Sequence, residues 1–190
     1  MIKAIGFYHF LEYIYTMKKE TKNVGLTWEE YFINIAEQVA KKSKDPSTKT
    51  GCVIVDSKKR PVSFGYNGFV SGCDERKMSQ ERPIKYHLVI HAEMNAIIFS
   101  RRDLEGCTLY SLYAPCENCL KHVIQAGIKK IVYKNHVVES KANNNTQSMT
   151  TSLTNEAITR MLLSSPEVDC HNISGKNYLK EMWGNKIPKF

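Results

Sequence analysis

The chain has 190 residues and a mass of 21.8 kDa, enough for one domain with extensions and a core that needs no disulfide staples. Hydrophobic residues at 42% against charged residues at 24% exclude wholesale disorder. The net charge of +8 invites an anionic partner, but it is spread as +2 over residues 1–27, +2 over 134–190 and the rest between, with no basic block. A nucleic-acid arm is therefore not expected.

Residues 1–26 carry no clean period and read as a disordered N-terminal extension. Met1–Thr16 is too short and too interrupted by Lys3, His9 and Glu12 to be a membrane span or a secretory signal, and Met17 offers an alternative start. The six cysteines then read as reduced thiols of a cytoplasmic protein. Thr27 and Glu30 form a capping box ahead of an amphipathic helix with Trp28, Tyr31, Phe32, Ile35, Ala36, Val39 and Ala40 on its apolar face. Pro46 stops it. Gly51–Val55 and Pro61–Gly65 read as a hairpin of two strands, and Gly65-Tyr66-Asn67-Gly68 as the loop that follows. Ser71–Lys85 is polar without a period. Beyond it, helices over Ala92–Ser100 and Glu117–Ala126 alternate with strands over Thr108–Tyr113 and Ile131–Tyr133, with Gly127 ending the second helix. Ser140–Ser152 reads as a flexible loop, Asn155–Leu163 as a short helix and Val168–Ile173 as a last strand. Helices between the later strands imply parallel crossovers and a helix-covered α/β sheet.

Two segments carry chemistry: His91-Ala92-Glu93 and Pro115-Cys116-Glu117-Asn118-Cys119, each opening an expected helix. One His and two Cys supply three zinc ligands and leave a tetrahedral position open, as at a catalytic rather than a structural zinc. A helix N-terminus helps to keep the cysteines as thiolates. Zinc lowers the pKa of a bound water towards about 7. Glu93, not itself a ligand, is placed to move protons, provided that His91 and Glu93 converge at a helix start, since i and i+2 diverge within a helix. The pairing H-x-E…P-C-x-x-C is the signature of zinc nucleobase deaminases. Either half alone is weak, and a redox pair or a structural zinc is the competing reading. Cys52, Cys107 and Cys170 read as core residues, Cys73 as a loop residue that with His87 offers a second metal site, and His122 and His136 as surface or packing residues.

The wider text resembles the deoxycytidylate (dCMP) deaminases of the zinc-dependent cytidine deaminase superfamily. Matching segments are Thr27–Phe32, Ser43–Pro46, Gly65–Gly68, Ser71–Cys73, His91–Ile97, Gly106–Tyr110, Pro115–Cys119 and Gln125–Lys130. The likeness covers residues 27 to about 135. It implies a three-layer α/β/α fold around a five-stranded mixed sheet. The catalytic domain would run over 27–175, with a C-terminal tail from 176 to 190. It implies one zinc on His91, Cys116 and Cys119, with Glu93 as proton shuttle in converting dCMP to dUMP and ammonia. Asn67 would contact the sugar and the Ala92 backbone the pyrimidine. It also implies a homo-oligomer, a hexamer in many members, with dCTP and dTTP as effectors, Mg2+ accompanying the triphosphate, and Phe99 and Arg102 near the subunit and effector contacts. Relatives often carry a Tyr past the fourth strand, where this chain has Lys134–Val138 and offers His136. Arg76, Lys77, Arg82 and Lys85 are the candidate phosphate groups. The rival readings are the same reaction on dCTP or CMP, action on a base within RNA or DNA, and a non-catalytic assembly subunit.

Overall fold

A computed structural model of the chain describes residues 25–136 and 144–189. The extension expected over 1–26, with the alternative start at Met17, lies outside the described residues up to residue 24. The first helix, α1 (Trp28–Ala40), starts as the capping box dictates: the Glu30 N–H donates to Thr27 Oγ1 at 3.2 Å, and the Thr27 N–H donates to Glu30 Oε2 at 2.8 Å. Its buried stripe is Phe32, Ile33, Ala36 and Ala40. Trp28 and Tyr31, expected on the apolar face, are exposed, with Trp28 stacked on Phe32 at 5.6 Å. They lie in the first turn, while Phe32 takes the place against the sheet, its ring 4.9 Å from that of Tyr110.

The strands β1 (Gly51–Val55) and β2 (Pro61–Tyr66) form the expected hairpin. The polar stretch that follows is held by a small hairpin of β3 (Gly68–Phe69) and β4 (Val89–Ile90), between which lie a 3-10 turn at Glu75–Lys77 and the short helix α2 (Ile84–Leu88). Then come α3 (Ala92–Phe99), β5 (Thr108–Tyr113), α4 (Glu117–Gln125) and β6 (Lys130–Asn135). The helix α5 (Asn144–Ser164) replaces the loop expected over Ser140–Ser152 from Asn144 onwards; residues 140–143 lie outside the described residues. Ile158 and Leu162 bury its C-terminal half in the core, and a helix nucleated there propagates backwards at one hydrogen bond per residue, outweighing the weak propensity of Asn, Ser and Thr. The strand β7 (Asp169–Asn172) follows. The tail from 176 carries a helix, α6 (Tyr178–Trp183), because Tyr178 and Leu179 are buried against the core and Asn177 caps its first turn.

The main sheet has the order β2-β1-β5-β6-β7, antiparallel from β2 to β5 and parallel from β5 to β7, so it is the expected five-stranded mixed sheet. Alternate side chains face opposite layers. Val53, Val55, Tyr110, Leu112 and Val132 pack on α1, while Cys52, Ile54, Leu109, Ile131 and Tyr133 pack under α3, α4 and α5. Cys52, Cys107 and Cys170 are core residues, as expected, and all six cysteines are unpaired. No helix among the described residues is long and apolar enough to cross a membrane.

Two glycines set how helices meet this sheet. Gly127 ends α4 at φ +81°, a conformation that other residues rarely adopt. Gly65 lies where β2 passes beneath α3: a β-carbon there would fall 2.0 Å from the Ala92 carbonyl oxygen and 2.5 Å from the Ala96 nitrogen. These are backbone atoms and cannot rotate away. Gly65→Ala is therefore expected to cost about 1–3 kcal/mol by overpacking. A lower urea midpoint at unchanged slope would report it, and an unchanged midpoint would contradict the packing described here.

Candidate active site

The start of α3 and the start of α4 face each other across the top of the sheet. His91 is the N-cap of α3 and Cys116 the N-cap of α4, both with extended backbone. Neither side chain caps its own helix. Each turns towards the other instead. His91 Nδ1 lies 3.5 Å from Cys116 Sγ and 3.3 Å from Cys119 Sγ, and the three donor atoms lie within 4.8 Å of one another. A tetrahedral zinc with bonds of about 2.3 Å to sulfur and about 2.0–2.1 Å to nitrogen separates N and S by roughly 3.5 Å. The donor set and its spacing therefore fit the metal. No fourth protein ligand joins them among the described residues, and Cys73 and His87 form no such group.

The helix start brings His91 and Glu93 together as the sequence requires. Glu93 is 4% exposed, with its Oε2 accepting from Cys119 Sγ at 3.7 Å and its Oε1 accepting from the Ser111 hydroxyl of β5 at 3.4 Å. Burial raises its carboxyl above the ordinary carboxylate range. The hydrogen bond with Cys116 raises the His91 imidazole. The contact with Cys119 and the His91 ring holds the Cys116 thiol well below its ordinary range, whereas that contact and burial push Cys119 up. A sulfur already inclined to ionise beside a helix N-terminus is a ready zinc ligand.

A cleft of about 310 Å³ opens onto this centre and is lined by Asn67, Ala92, Glu93, Tyr113, Arg82 and Lys85, among others. That volume is at the small end of ligand sites, which run from roughly 300 to 1,000 Å³. Ala92 is fully buried at its floor. Asn67 spends most of its amide on the fold. Nδ2 donates to the Thr48 carbonyl at 2.9 Å and to Asp45 Oδ2 at 3.3 Å, and Oδ1 accepts from the Thr50 N–H at 2.8 Å, which leaves one Oδ1 lone pair. Asp45 is the hub of this wall. Its Oδ1 accepts from Lys85 Nζ at 2.6 Å and from the Ser47 and Thr48 N–H groups at 2.8 and 2.9 Å. Both side chains of the Asp45–Lys85 pair are under a tenth exposed. Burial would raise the Asp45 carboxyl, but the Lys85 ammonium and the two amides outweigh it and hold it low.

Phe99 and Arg102 lie elsewhere. Phe99, at the end of α3, is 55% exposed and lines a separate cleft of about 530 Å³ with Lys42, Lys44, Phe64, Tyr66 and Ile98; Arg102 lines neither cleft. His136 is exposed and stacks on Tyr178 at 5.1 Å rather than entering the zinc cleft. Arg76 is spent on Asp74, and Lys77 does not line the cleft, so of the four phosphate candidates only Arg82 and Lys85 reach it. Sequence reasoning missed Ser111 and the role of Asp45. A small hydroxyl between Tyr110 and Leu112 in the buried strand Thr108–Tyr113 was the only local hint of the first, and nothing local signals the second.

Residues 26–135 match the family model of the cytidine and deoxycytidylate deaminase zinc-binding region. The chain is 46% identical over 104 residues to the "Uncharacterized deaminase in luxG 3'region" of Aliivibrio fischeri, covering 55% of this chain and 70% of that protein. It is 40% identical over 115 residues to the deoxycytidylate deaminase of Homo sapiens, covering 57% of this chain and 65% of that protein. The match thus spans about two thirds of the length of these two relatives. Among solved structures it resembles the dCMP deaminase of cyanophage S-TIM5 in complex with dCMP and dUMP. The TM-score is 0.55 at 25% identity, with 76% of this chain and 95% of that one covered.

Proposed function

The chain belongs to the cytidine and deoxycytidylate deaminase family, and from that premise we propose that it hydrolyses dCMP to dUMP and ammonia. One observation carries the reading: a buried carboxylate, Glu93, lies 3.7 Å from a sulfur of a three-donor zinc site that opens into a nucleotide-sized cleft. A structural zinc has no use for such a carboxylate. Relatives named as deoxycytidylate deaminases support the substrate.

His91, Cys116 and Cys119 would hold the ion. Zinc, when bound, lowers the pKa of a water towards about 7 and so supplies hydroxide at neutral pH. Glu93 accepts the proton released and passes it to N3 of cytosine, which makes C4 more electrophilic. As the hydroxide adds to C4, Glu93 takes the proton of the new C4 hydroxyl and delivers it to the amino group; the C4–N bond breaks, ammonia departs and the C4 carbonyl of uracil remains. Ser111 and the buried surroundings fix the carboxylate. The Ala92 backbone meets the pyrimidine, and the remaining Oδ1 lone pair of Asn67 accepts from a sugar hydroxyl.

The same reading extends to regulation, assembly and location. The catalytic domain spans 27–175, with α6 packed against it. We read the second cleft, with Lys42 and Lys44 at its wall, as the place for a dCTP or dTTP effector with its Mg2+. The exposed Phe99 and Ile98 suit a subunit contact in a homo-oligomer such as a hexamer, near which Arg102 lies. Six unpaired cysteines suit the reducing cytoplasm.

The test is ammonia and dUMP release by the zinc-loaded chain, offered dCMP, CMP, dCTP and deoxycytidine, each with and without dCTP or dTTP. The expected result is fastest turnover of dCMP. Absence of ammonia from all four would overturn the reading, and faster turnover of dCTP or CMP would correct the substrate.

A further inference from the structure

The zinc cleft contains two cations, Arg82 and Lys85, and the structure treats them in opposite ways. Lys85 is buried, and its ammonium lies 2.6 Å from Asp45 Oδ1 and 3.4 Å from the Ser47 hydroxyl. Turning it towards a ligand would strand the Asp45 carboxylate without its counter-ion, and breaking such a buried pair is strongly unfavourable. Its charge is already spent. Arg82 is exposed and forms no ion pair or hydrogen bond with the described residues. Its guanidinium sits over the Tyr86 ring, 5.2 Å from the centroid, and both residues line the cleft. A guanidinium stacked on an aromatic face is oriented yet keeps its five N–H donors free, the arrangement suited to forked binding of a phosphate. The other lysines near this wall, Lys42 and Lys44, line the neighbouring cleft, and Lys44 is paired with Glu75 at 2.9 Å.

We propose that Arg82, held over Tyr86, binds the 5′-phosphate of the substrate nucleotide and so sets the preference for nucleotide over nucleoside, while Lys85 serves as a positioning residue. This assignment rests on the deaminase reading above. It deepens that reading by dividing the two cations of one cleft between ligand and scaffold.

The experiment pairs turnover with direct binding in the zinc-loaded chain. Deamination of dCMP and deoxycytidine is measured for wild type, Arg82→Gln and Arg82→Lys, together with calorimetric binding of dUMP and deoxyuridine. Arg82→Gln is expected to lower the ratio of kcat/KM for dCMP over deoxycytidine about 10- to 100-fold. The dUMP-over-deoxyuridine affinity ratio should fall by a similar factor, the size expected for lost charge-assisted hydrogen bonds. Arg82→Lys should recover part of both ratios. A phosphate preference that survives in Arg82→Gln, or that is already missing from wild type, overturns the assignment. Wild type that binds dUMP over deoxyuridine through Arg82 yet releases no ammonia from any cytosine substrate would overturn the deaminase reading and leave the phosphate assignment standing.

Discussion

Glu93→Gln is expected to bind one zinc per chain and to lose about 10²- to 10⁴-fold in kcat for dCMP, the contribution of a positioned general acid and base. The expectation follows from geometry. Glu93 sits 3.7 Å from Cys119 Sγ but is not one of the three donors, so an isosteric amide leaves the ligand set intact. Gln keeps the shape and a hydrogen-bond acceptor for Ser111 and loses the ability to carry a proton. Metal content and turnover should therefore separate. Cys119→Ser makes the contrasting case: a hydroxyl is a far poorer zinc ligand than a thiolate, so metal and activity should fall together. Plasma emission spectroscopy alongside the ammonia assay reads both. A Glu93→Gln protein with zinc and near-wild-type turnover would remove Glu93 from the mechanism.

Lys85→Met is expected to destabilise the fold by about 3–5 kcal/mol, because it leaves the buried Asp45 carboxylate without its cation. Against a total of about 5–15 kcal/mol for a domain, this is a large fraction. Asp45→Asn combined with Lys85→Met should restore much of the loss, since it removes the stranded charge as well. Urea unfolding of the two variants and wild type measures the difference. Equal midpoints for wild type and Lys85→Met would show that the pair carries no structural weight. The effect should depend on pH. The Asp45 carboxyl is held below its ordinary value, so its stabilising contribution is full above about pH 3.9 and fades as pH falls through the lower, native value. The gap between wild type and Lys85→Met should therefore narrow below about pH 4. Where Lys85→Met stays folded, dCMP turnover should also fall, because Asp45 ties Ser47, Thr48 and Asn67 into the wall of the cleft.

Local rules were readable from the text of the chain. The capping box at Thr27, the strand Thr108–Tyr113 and the stop at Gly127 depend on neighbours a few residues apart, and each is found where its local chemistry requires. The three residues that fit a zinc were equally legible because each sits at or within one turn of a helix start, and helix starts leave sequence signals. The helix α5 was not legible over its first nine residues, since its support comes from Ile158 and Leu162 packing in the core rather than from its own Asn- and Thr-rich text. Phe99 read as easily for core as for contact, and only its exposure at the end of α3 separates the two.

The sequence by itself determined the sheet class and picked out three donors able to hold a metal and the carboxylate beside them. The tertiary structure decided which charges are free. Asp45 and Lys85 are 40 residues apart, and no spacing rule pairs them. Once the chain folds, burial makes that pair obligatory and removes Lys85 from the cations open to a ligand. Arg82, three residues away and outwardly equivalent in the text, is left over the Tyr86 ring with its donors open to the cleft. Most of the +8 charge is surface charge of no assigned role, and one guanidinium of it faces the place where a nucleotide phosphate would lie.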